Sequence, residues 1–304
     1  MCGFAGVYGN LNKKFDDKKI FSSLVHRGPD SSGRFLSENC ILYHSRLTII
    51  GNSIHGNQPI TNKNNLVTLV YNGEIYNWKN LRNTYFPTKV KSIKSDTELI
   101  LNLFEKFGIG FVKKLQGIFS IAIYSKKDKK IYLVRDRFGV KPLYYHKNLK
   151  SIYFSTEIKS LIAMEIKKQL NYSVLKSYLN DSKLLTNQQT FFKDIYSLEP
   201  ATIYEISKSG EKKTKYWNLK NNKKLNFDNN EINELISESI KSNLVADTNV
   251  GAYLSSGIDS AIIVDEMLKI KKTNCYTFGF EEEKYSESSD ANNLFYRNKN
   301  DDVI

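Results

Sequence analysis

Apolar positions in this chain follow two different periods. Over residues 1–217 they come in short continuous or alternating runs rich in β-branched and aromatic residues: LVTLVY (66–71), GIFSIAIYS (117–125), KIYLVRD (130–136), SIYFSTE (151–157) and ATIYEIS (201–207). Such runs predict strands, and the second and third flank a charged turn as the arms of a hairpin do. LVTLVY leads into Asn72 and Gly73, a pair that tight hairpin turns favour, so this strand is predicted to end in a turn there. SDTELILNLFEKFG (95–108) carries the other period. Leu99, Ile100, Leu103, Phe104 and Phe107 recur at helical spacing, Ser95 and Glu98 form a capping box, and Gly108 stops the helix.

The pattern shifts near residue 218. NLKNNKKLNFDNN (218–230) is mostly polar and reads as a linker. EINELISESIKSNL (231–244) follows as a helix with Ile232, Leu235, Ile236 and Ile240 on one side. Then come a short apolar run, VGAYL (250–254), a glycine-containing turn, SSGIDS (255–260), a second helical stretch, and a strand, YTFGF (276–280). Strand, glycine turn, helix is the opening of a parallel α/β domain. The predicted organisation is a β-rich domain over 2–217, a linker over 218–230 and an α/β domain over 231–304. A domain of the latter kind normally needs about 100 residues or more, so it is expected to be incomplete, and the chain a fragment or truncated product.

Composition narrows the function classes. The chain has 304 residues, 40% hydrophobic and 12% aromatic, which supports two packed domains rather than disorder. No run of about 18 apolar residues occurs, so no membrane span is expected. Cys2, Cys40 and Cys275 are too widely separated for a metal motif or a disulfide framework, which fits a reducing cytoplasm and no protein-held metal. The net charge of +13 raises the question of a polyanion partner. Its lysines, however, are spread through turns such as KKDKK (126–130) and KNNKK (220–224), without the interleaved aromatics of a stacking surface, so no nucleic acid partner is expected.

Chemistry is concentrated at the start. MCGFAGVYG opens the chain with a cysteine directly behind Met1, where neither a basic leader nor a long apolar stretch precedes it. Once Met1 is removed, Cys2 carries a thiol nucleophile beside a free α-amine, whose reference pKa of about 7.7–8.0 suits a general base near neutrality. The Asn72 side-chain amide and the Gly73 N–H are candidates for an oxyanion hole. Arg46 suits a carboxylate, and Asp96 and Glu74 suit an ammonium. Each has a plainer reading: an incidental cysteine, a hairpin turn, a surface ion pair, a charge that complements a helix dipole.

The pieces gain weight from occurring together. MCGFAGVYG (1–9), HRGPDSSG (26–33), RLTII (46–50), YNGEIYN (71–77), SDTE (95–98) and LQGIFSIAIYS (115–125) stand in the order found in the class II glutamine amidotransferases, which the chain resembles. The resemblance implies an α+β N-terminal-nucleophile fold, an αββα sandwich, for a glutaminase domain. It implies that Cys2 attacks the side-chain amide of glutamine, that ammonia leaves, and that water resolves the thioester. By position, Arg46 is implied to bind the α-carboxylate with backbone help from Leu47, Thr48, Ile49 and Ile50. Asn72 and Gly73 are implied to form the oxyanion hole, and Glu74 and Asp96 to bind the α-amine. His26, Arg27 and Asp30 match a family loop and are expected to be structural.

DRFGVKPLYY (136–145) and FSTEIKSL (154–161) resemble the asparagine synthetase branch of that family. AYLSSGIDSA (252–261) resembles the pyrophosphatase loop, or PP-loop, of ATP-dependent synthetases with an adenine nucleotide alpha hydrolase-like α/β domain. A glycine turn between a strand and a helix N-terminus presents N–H groups and a dipole to phosphates. The implied ATP contacts are Leu254, Ser255, Gly257, Asp259, Ser260 and Phe278, with Mg²⁺ on the phosphates. The family's loop has two adjacent glycines and the first is Ser256 here; a serine forced to φ > 0 would be strained by about 1 kcal/mol or more. The implied reaction is glutamine-dependent asparagine synthesis. ATP adenylates the β-carboxylate of aspartate, and ammonia converts the adenylate to asparagine, with AMP and pyrophosphate released. Nothing in these residues selects aspartate. Another carboxylate acceptor, such as a sugar uronic acid in polysaccharide biosynthesis, and a truncated glutaminase-only or non-catalytic remnant remain open alternatives, and a homodimer remains an open expectation.

Overall fold

The computed structural model describes residues 1–50, 54–181, 188–219, 228–282 and 286–291. Internal contacts divide the chain into two units, Met1–Lys220 and Asn221–Ile304. Most of the predicted linker, residues 220–227, lies outside the described residues.

The first unit runs β1 (Gly3–Gly9), α1 (Asp17–Leu24), β2 (Ser31–Leu36), β3 (Cys40–Arg46), β4 (Ile60–Thr61), β5 (Val67–Ile75), α2 (Trp78–Tyr85), α3 (Asp96–Phe107), β6 (Gly117–Ser125), β7 (Lys130–Arg135), β8 (Tyr144–Lys147), β9 (Ser151–Ser155), α4 (Ile158–Ala163), α5 (Tyr172–Asp181), β10 (Tyr196–Ser197), β11 (Thr202–Ser207) and β12 (Gly210–Lys215). The strands form two six-stranded antiparallel sheets, in the orders β10-β8-β9-β1-β3-β2 and β12-β11-β7-β6-β5-β4. The β6–β7 pair is the hairpin expected from the pattern, closing at Ser125↔Lys130.

Alternation along the strands decides the layers. One set of side chains, including Phe4, Leu42, Val70, Ala122, Leu133, Phe154 and Tyr204, meets between the sheets as a continuous buried core. The opposite set on the first sheet, with Ala5, Val7, Ile41 and Tyr43, packs under α1 and α4 through Ile20, Leu24 and Leu161. On the second sheet α3 buries Leu99, Ile100, Leu103 and Phe104, and the Phe104 ring meets Tyr132 edge-on at 5.7 Å. Helix, sheet, sheet, helix is the αββα sandwich expected.

One local expectation fails in the first unit. Residues 72 and 73 are not a turn: β5 runs on to Ile75 and stays in register with β6, through Asn72↔Ser120 and Gly73↔Phe119 to Ile75↔Gly117. Gly73 absorbs the local distortion at φ +148, where a Cβ would lie 2.0 Å from the Ile118 carbonyl oxygen.

The second unit contains α6 (Asn229–Asn243), β13 (Ala252–Tyr253), α7 (Ile258–Ile270) and β14 (Cys275–Tyr276). β13 and β14 pair in parallel, Ala252↔Cys275 and Tyr253↔Tyr276, as an α/β opening requires. Leu254, Val264, Cys275 and Ala291 form a small core. The strand predicted over 276–280 is shorter than expected. Pairing stops at Tyr276, because the Thr277 hydroxyl turns back to donate to the Leu254 carbonyl at 2.9 Å. The predicted apolar side of α6 is formed but buries no residue completely.

Candidate active site

The site begins where β1 and β3 lie side by side. Their antiparallel register, Gly3↔Ser45, carries Cys2 to the stretch just after Arg46. There the Cys2 sulfur accepts from the Leu47 N–H at 3.4 Å, and the thiol donates to the Leu47 carbonyl at 3.5 Å. Burial pushes the thiol pKa up, with the Leu47 contact opposing it, so a base is needed to ionise it. Arg27 donates to the Cys2 carbonyl at 3.0 Å and to Glu157 at 2.7 Å, and the Asp30 carboxylate accepts from the Thr48 N–H at 2.7 Å. The HRGPD segment therefore holds the backbone on both sides of the thiol. The Met1 sulfur lies over the same spot, accepting from Lys141 Nζ at 3.1 Å and Arg27 Nη2 at 3.8 Å.

The facing wall is β5. Its neighbour β4 pairs with Thr68 and Leu69, and among the described residues no strand pairs with that edge of β5 beyond them. The Tyr71 N–H donates to the Gln58 side chain at 2.6 Å and the Ile75 N–H to Asp96 at 3.5 Å. N–H groups of residues two apart point the same way along a strand, so the Gly73 N–H points to that edge too. On the other side Phe119 spends its N–H and carbonyl on Asp136, at 3.2 and 2.8 Å. The turn expected at Asn72 and Gly73 is thus replaced by an extended strand edge that aims the glycine N–H at the pocket.

α3 supplies the acid. Ser95 Oγ accepts from the Glu98 N–H at 3.2 Å, as a cap does, but Glu98 answers to the Lys94 N–H at 2.6 Å and to His55 at 3.0 Å, not to Ser95. This fixes the first turn, so that Asp96 points back at β5. Its carboxylate accepts from Tyr71 OH at 2.9 Å, Thr97 N–H at 2.8 Å and the Ile75 N–H. Burial pushes Asp96 up to about 6 despite those bonds. Burial also raises Glu74, with Lys141 opposing the shift. Arg46 is a buried charge of opposite sign, donating to Asn57 Oδ1 at 2.9 Å and the Ile50 carbonyl at 3.1 Å. Gly56 packs against it, leaving no room for a Cβ, which would sit 2.1 Å from Nη2.

One pocket gathers Cys2, Arg46, Leu47, Ile49, Ile50, Asn72, Gly73, Glu74 and Asp96. Of the glutamine-binding residues predicted from the sequence, only Thr48 is not on its lining; its N–H is occupied by Asp30. Sequence reasoning passed over Gly56, Gln58, Tyr71, Thr97 and Lys141, which line the same pocket. A signal existed for Lys141, a lysine inside the otherwise turn-like DRFGVKPLYY, and it is 6% exposed. Two cations, Arg46 and Lys141, and two carboxylates, Glu74 and Asp96, on one lining suit a zwitterionic amino acid, with the Cys2 thiol beside them.

In the second unit, Ser255, Gly257 and Asp259 are exposed around the N-terminus of α7 and Ser260 is half-buried. The Ser260 hydroxyl closes the turn, accepting from the Ser255 N–H at 3.2 Å and donating to the Gly257 carbonyl at 2.9 Å. The first N–H groups of α7 have no partner within the helix, which suits an anion. Ser256 does not have positive φ, so the strain expected of a serine there is absent. Instead its N–H and hydroxyl both donate to the Glu287 carboxylate at 3.1 Å. The Leu254 side chain is buried in the small core, leaving its backbone for any ligand contact. Phe278 is exposed, with its ring 5.4 Å from that of Tyr253. Among the described residues no cluster of His, Cys, Asp and Glu could hold a metal, and no helix is long and apolar enough to cross a membrane.

Residues 1–217 match the glutamine amidotransferase domain family, and residues 231–301 match the asparagine synthase family. The chain is 33% identical over 300 residues to asparagine synthetase [glutamine-hydrolyzing] 2 of Bacillus subtilis (strain 168), covering 91% of this chain and 40% of that protein. It is 30% identical over 299 residues to asparagine synthetase [glutamine-hydrolyzing] 1 of the same organism, covering 94% and 47%. The chain therefore spans less than half the length of these two relatives. In fold it is similar to glutamine phosphoribosylpyrophosphate amidotransferase from B. subtilis, with a TM-score of 0.53 over 93% of this chain and 67% of the other at 17% identity.

Proposed function

The chain belongs to the glutamine amidotransferase domain family, and from that premise we propose that its first unit hydrolyses glutamine and that the ammonia amidates an ATP-activated aspartate, giving asparagine. The observation that carries the glutaminase reading is the convergence of Cys2, Gly73, Arg46 and Asp96 on the lining of one pocket. The acceptor rests on the asparagine synthase match over residues 231–301 and the names of the relatives.

Removal of Met1 frees the α-amine of Cys2. The amine takes the thiol proton, and the thiolate attacks the amide carbon of glutamine. The oxyanion accepts hydrogen bonds from Asn72 Nδ2 and the Gly73 N–H, donors that contribute roughly a hundredfold or more in kcat each in comparable sites. The protonated amine then passes its proton to the leaving ammonia. In the second half it activates the water that hydrolyses the thioester to glutamate. Arg46 holds the α-carboxylate. Asp96, with Glu74 beside it, holds the α-ammonium, and that cation keeps a buried carboxylate ionised that burial otherwise disfavours.

In the second unit the polyphosphate of ATP would meet the Ser255–Ser260 turn and the α7 N-terminus, in competition with the Glu287 carboxylate at Ser256. With Asp259 the acidic residue of that first turn, Mg²⁺ would be held chiefly by phosphate oxygens and water, where it neutralises charge on the phosphates. The test is ammonia release from glutamine by the purified chain without ATP or aspartate, beside Cys2→Ala. Release that vanishes in the variant is expected; release that persists in it refutes the reading. Asparagine formation from ATP, aspartate and glutamine by the full-length protein tests the acceptor.

A further inference from the structure

Buried polar atoms without a partner are rare in folded proteins and usually mark bound water or function. Among the described residues, five buried side-chain atoms have none, and four of them belong to three residues: His44 Nδ1, both amide atoms of Asn72, and Ser120 Oγ. These residues are neighbours. Asn72 and Ser120 are Cα partners across β5 and β6. The His44 ring reaches over from β3, its Nε2 lying 3.1 Å from the carbonyl oxygen of Tyr71, the residue before Asn72. All three side chains face the space between the sheets. Two residues away on the same strands, Leu42, Val70 and Ala122 belong to the inter-sheet core, and side chains two apart share a face. All three are no more than 1% exposed.

Their hydrogen-bonding capacities are complementary. A carbonyl can only accept, so Nε2 of His44 carries the proton. Burial holds the ring neutral, with a pKa lowered to about 3, which leaves Nδ1 an acceptor. If Asn72 turns Nδ2 to the pocket as an oxyanion donor, its Oδ1 faces inward and also needs a donor. Ser120 has one hydroxyl proton to give. A single water satisfies all three by donating to His44 Nδ1 and Asn72 Oδ1 and accepting from Ser120 Oγ. Three bonds are what a buried water typically makes.

We propose that His44 and Ser120 hold one buried water that fixes the Asn72 side chain with its N–H₂ toward Cys2, so that both are positioning residues for the oxyanion donor. The proposal deepens the glutaminase reading and rests on it for its effect on rate; the water site itself does not. Without the clamp the amide is free to rotate or to present its oxygen to the oxyanion, which repels it. The oxyanion exists only in the transition state, so the loss falls on kcat and leaves KM for glutamine unchanged.

The experiment is a double-mutant cycle on the full chain, reading kcat and KM for ammonia release in wild type, Ser120→Ala, Asn72→Ala and the double variant. Ser120→Ala is expected to lower kcat about fivefold to tenfold at constant KM, and to do nothing further once Asn72 is alanine. An unchanged kcat in Ser120→Ala, or an equal loss in both backgrounds, overturns the proposal. A high-resolution crystal structure and the ¹⁵N shifts of the His44 ring judge the clamp without reference to activity. Support is an ordered water touching the three atoms and a ring protonated on Nε2 alone. An empty site or a proton on Nδ1 overturns it. If wild type releases no ammonia, the glutaminase reading fails, and these two structural readouts still decide whether the water site exists.

Discussion

Asp96→Asn separates what the pocket costs the fold from what the proposed function asks of it for glutamine. Burial moves the Asp96 carboxyl from 3.8 to about 6, although Tyr71, Ile75 and Thr97 all donate to it. Moving from 3.8 to about 6 is worth about 3 kcal/mol, which is the order of the penalty for keeping this group ionised in the native state. Between pH 3.8 and about 6 the native protein holds more protons than the unfolded chain. Wild-type stability therefore rises as pH falls through that window, and the penalty applies in full above it. Asparagine has nearly the same shape and no charge. Its Nδ2 can donate to the Tyr71 oxygen while Oδ1 keeps the Thr97 bond, so the long hydrogen bond from the Ile75 N–H is given up and the Tyr71 hydroxyl proton loses its acceptor. The variant is expected to be more stable than wild type by about 1–3 kcal/mol at pH 7.5. Both tryptophans, Trp78 and Trp217, lie in the first unit, so urea unfolding followed by their fluorescence reports that unit. The gain should shrink towards zero near pH 4, where the wild-type carboxyl is already protonated. Meanwhile KM for glutamine should rise about a hundredfold at neutral pH, the scale of removing one partner from a buried charge pair. A variant less stable than wild type at pH 7.5, or a gain equal at both pH values, refutes the reasoning.

Four further outcomes follow from the same geometry. Cys2→Ala should abolish ammonia release while leaving the urea midpoint within error, since the thiol is only half-buried and makes two weak hydrogen bonds. Gly73→Ala should destabilise the first unit by about 2 kcal/mol or more in urea unfolding and abolish glutaminase activity, because φ is +148 and the new Cβ would fall 2.0 Å from the Ile118 oxygen. Arg46→Lys should raise KM for glutamine at least about tenfold and lower stability by about 1–2 kcal/mol, because an ammonium cannot reproduce the fork that meets both Asn57 and Ile50. In steady-state kinetics KM should climb as pH falls below about 6, because protonated Asp96 no longer attracts the substrate ammonium.

The legible parts of the site were those whose chemistry is written in a residue type. Cys2, Arg46 and Asp96 stood out as a nucleophile, a cation and an anion, and the structure brings all three to one pocket. Lys141, Gln58 and Tyr71 did not stand out, because nothing local distinguishes a polar group that lines a pocket from one that faces solvent. Their roles come from partners 13 to 140 positions away, such as Gln58 on the Tyr71 N–H, Tyr71 on Asp96 and Lys141 on Met1. His44 and Ser120 did not stand out either: Ser120 sits in an apolar run that reads as an ordinary strand, and nothing local marks His44 as part of a site.

By itself the sequence determined the strand-rich first unit, the β6–β7 hairpin, the capped α3 and the strand–turn–helix of the second unit, because period, capping and turn chemistry act over a few neighbouring residues. It misjudged Asn72-Gly73, whose local preference is for a turn. Only the tertiary structure decided that segment. Pairing with β6 through Ile75 keeps the chain extended, at the φ that glycine tolerates, and among the described residues no strand covers its outer edge there. The same pairing puts the Gly73 N–H and the Asn72 amide opposite a cysteine some seventy positions earlier in the sequence, a juxtaposition that requires both sheets and that no local preference encodes.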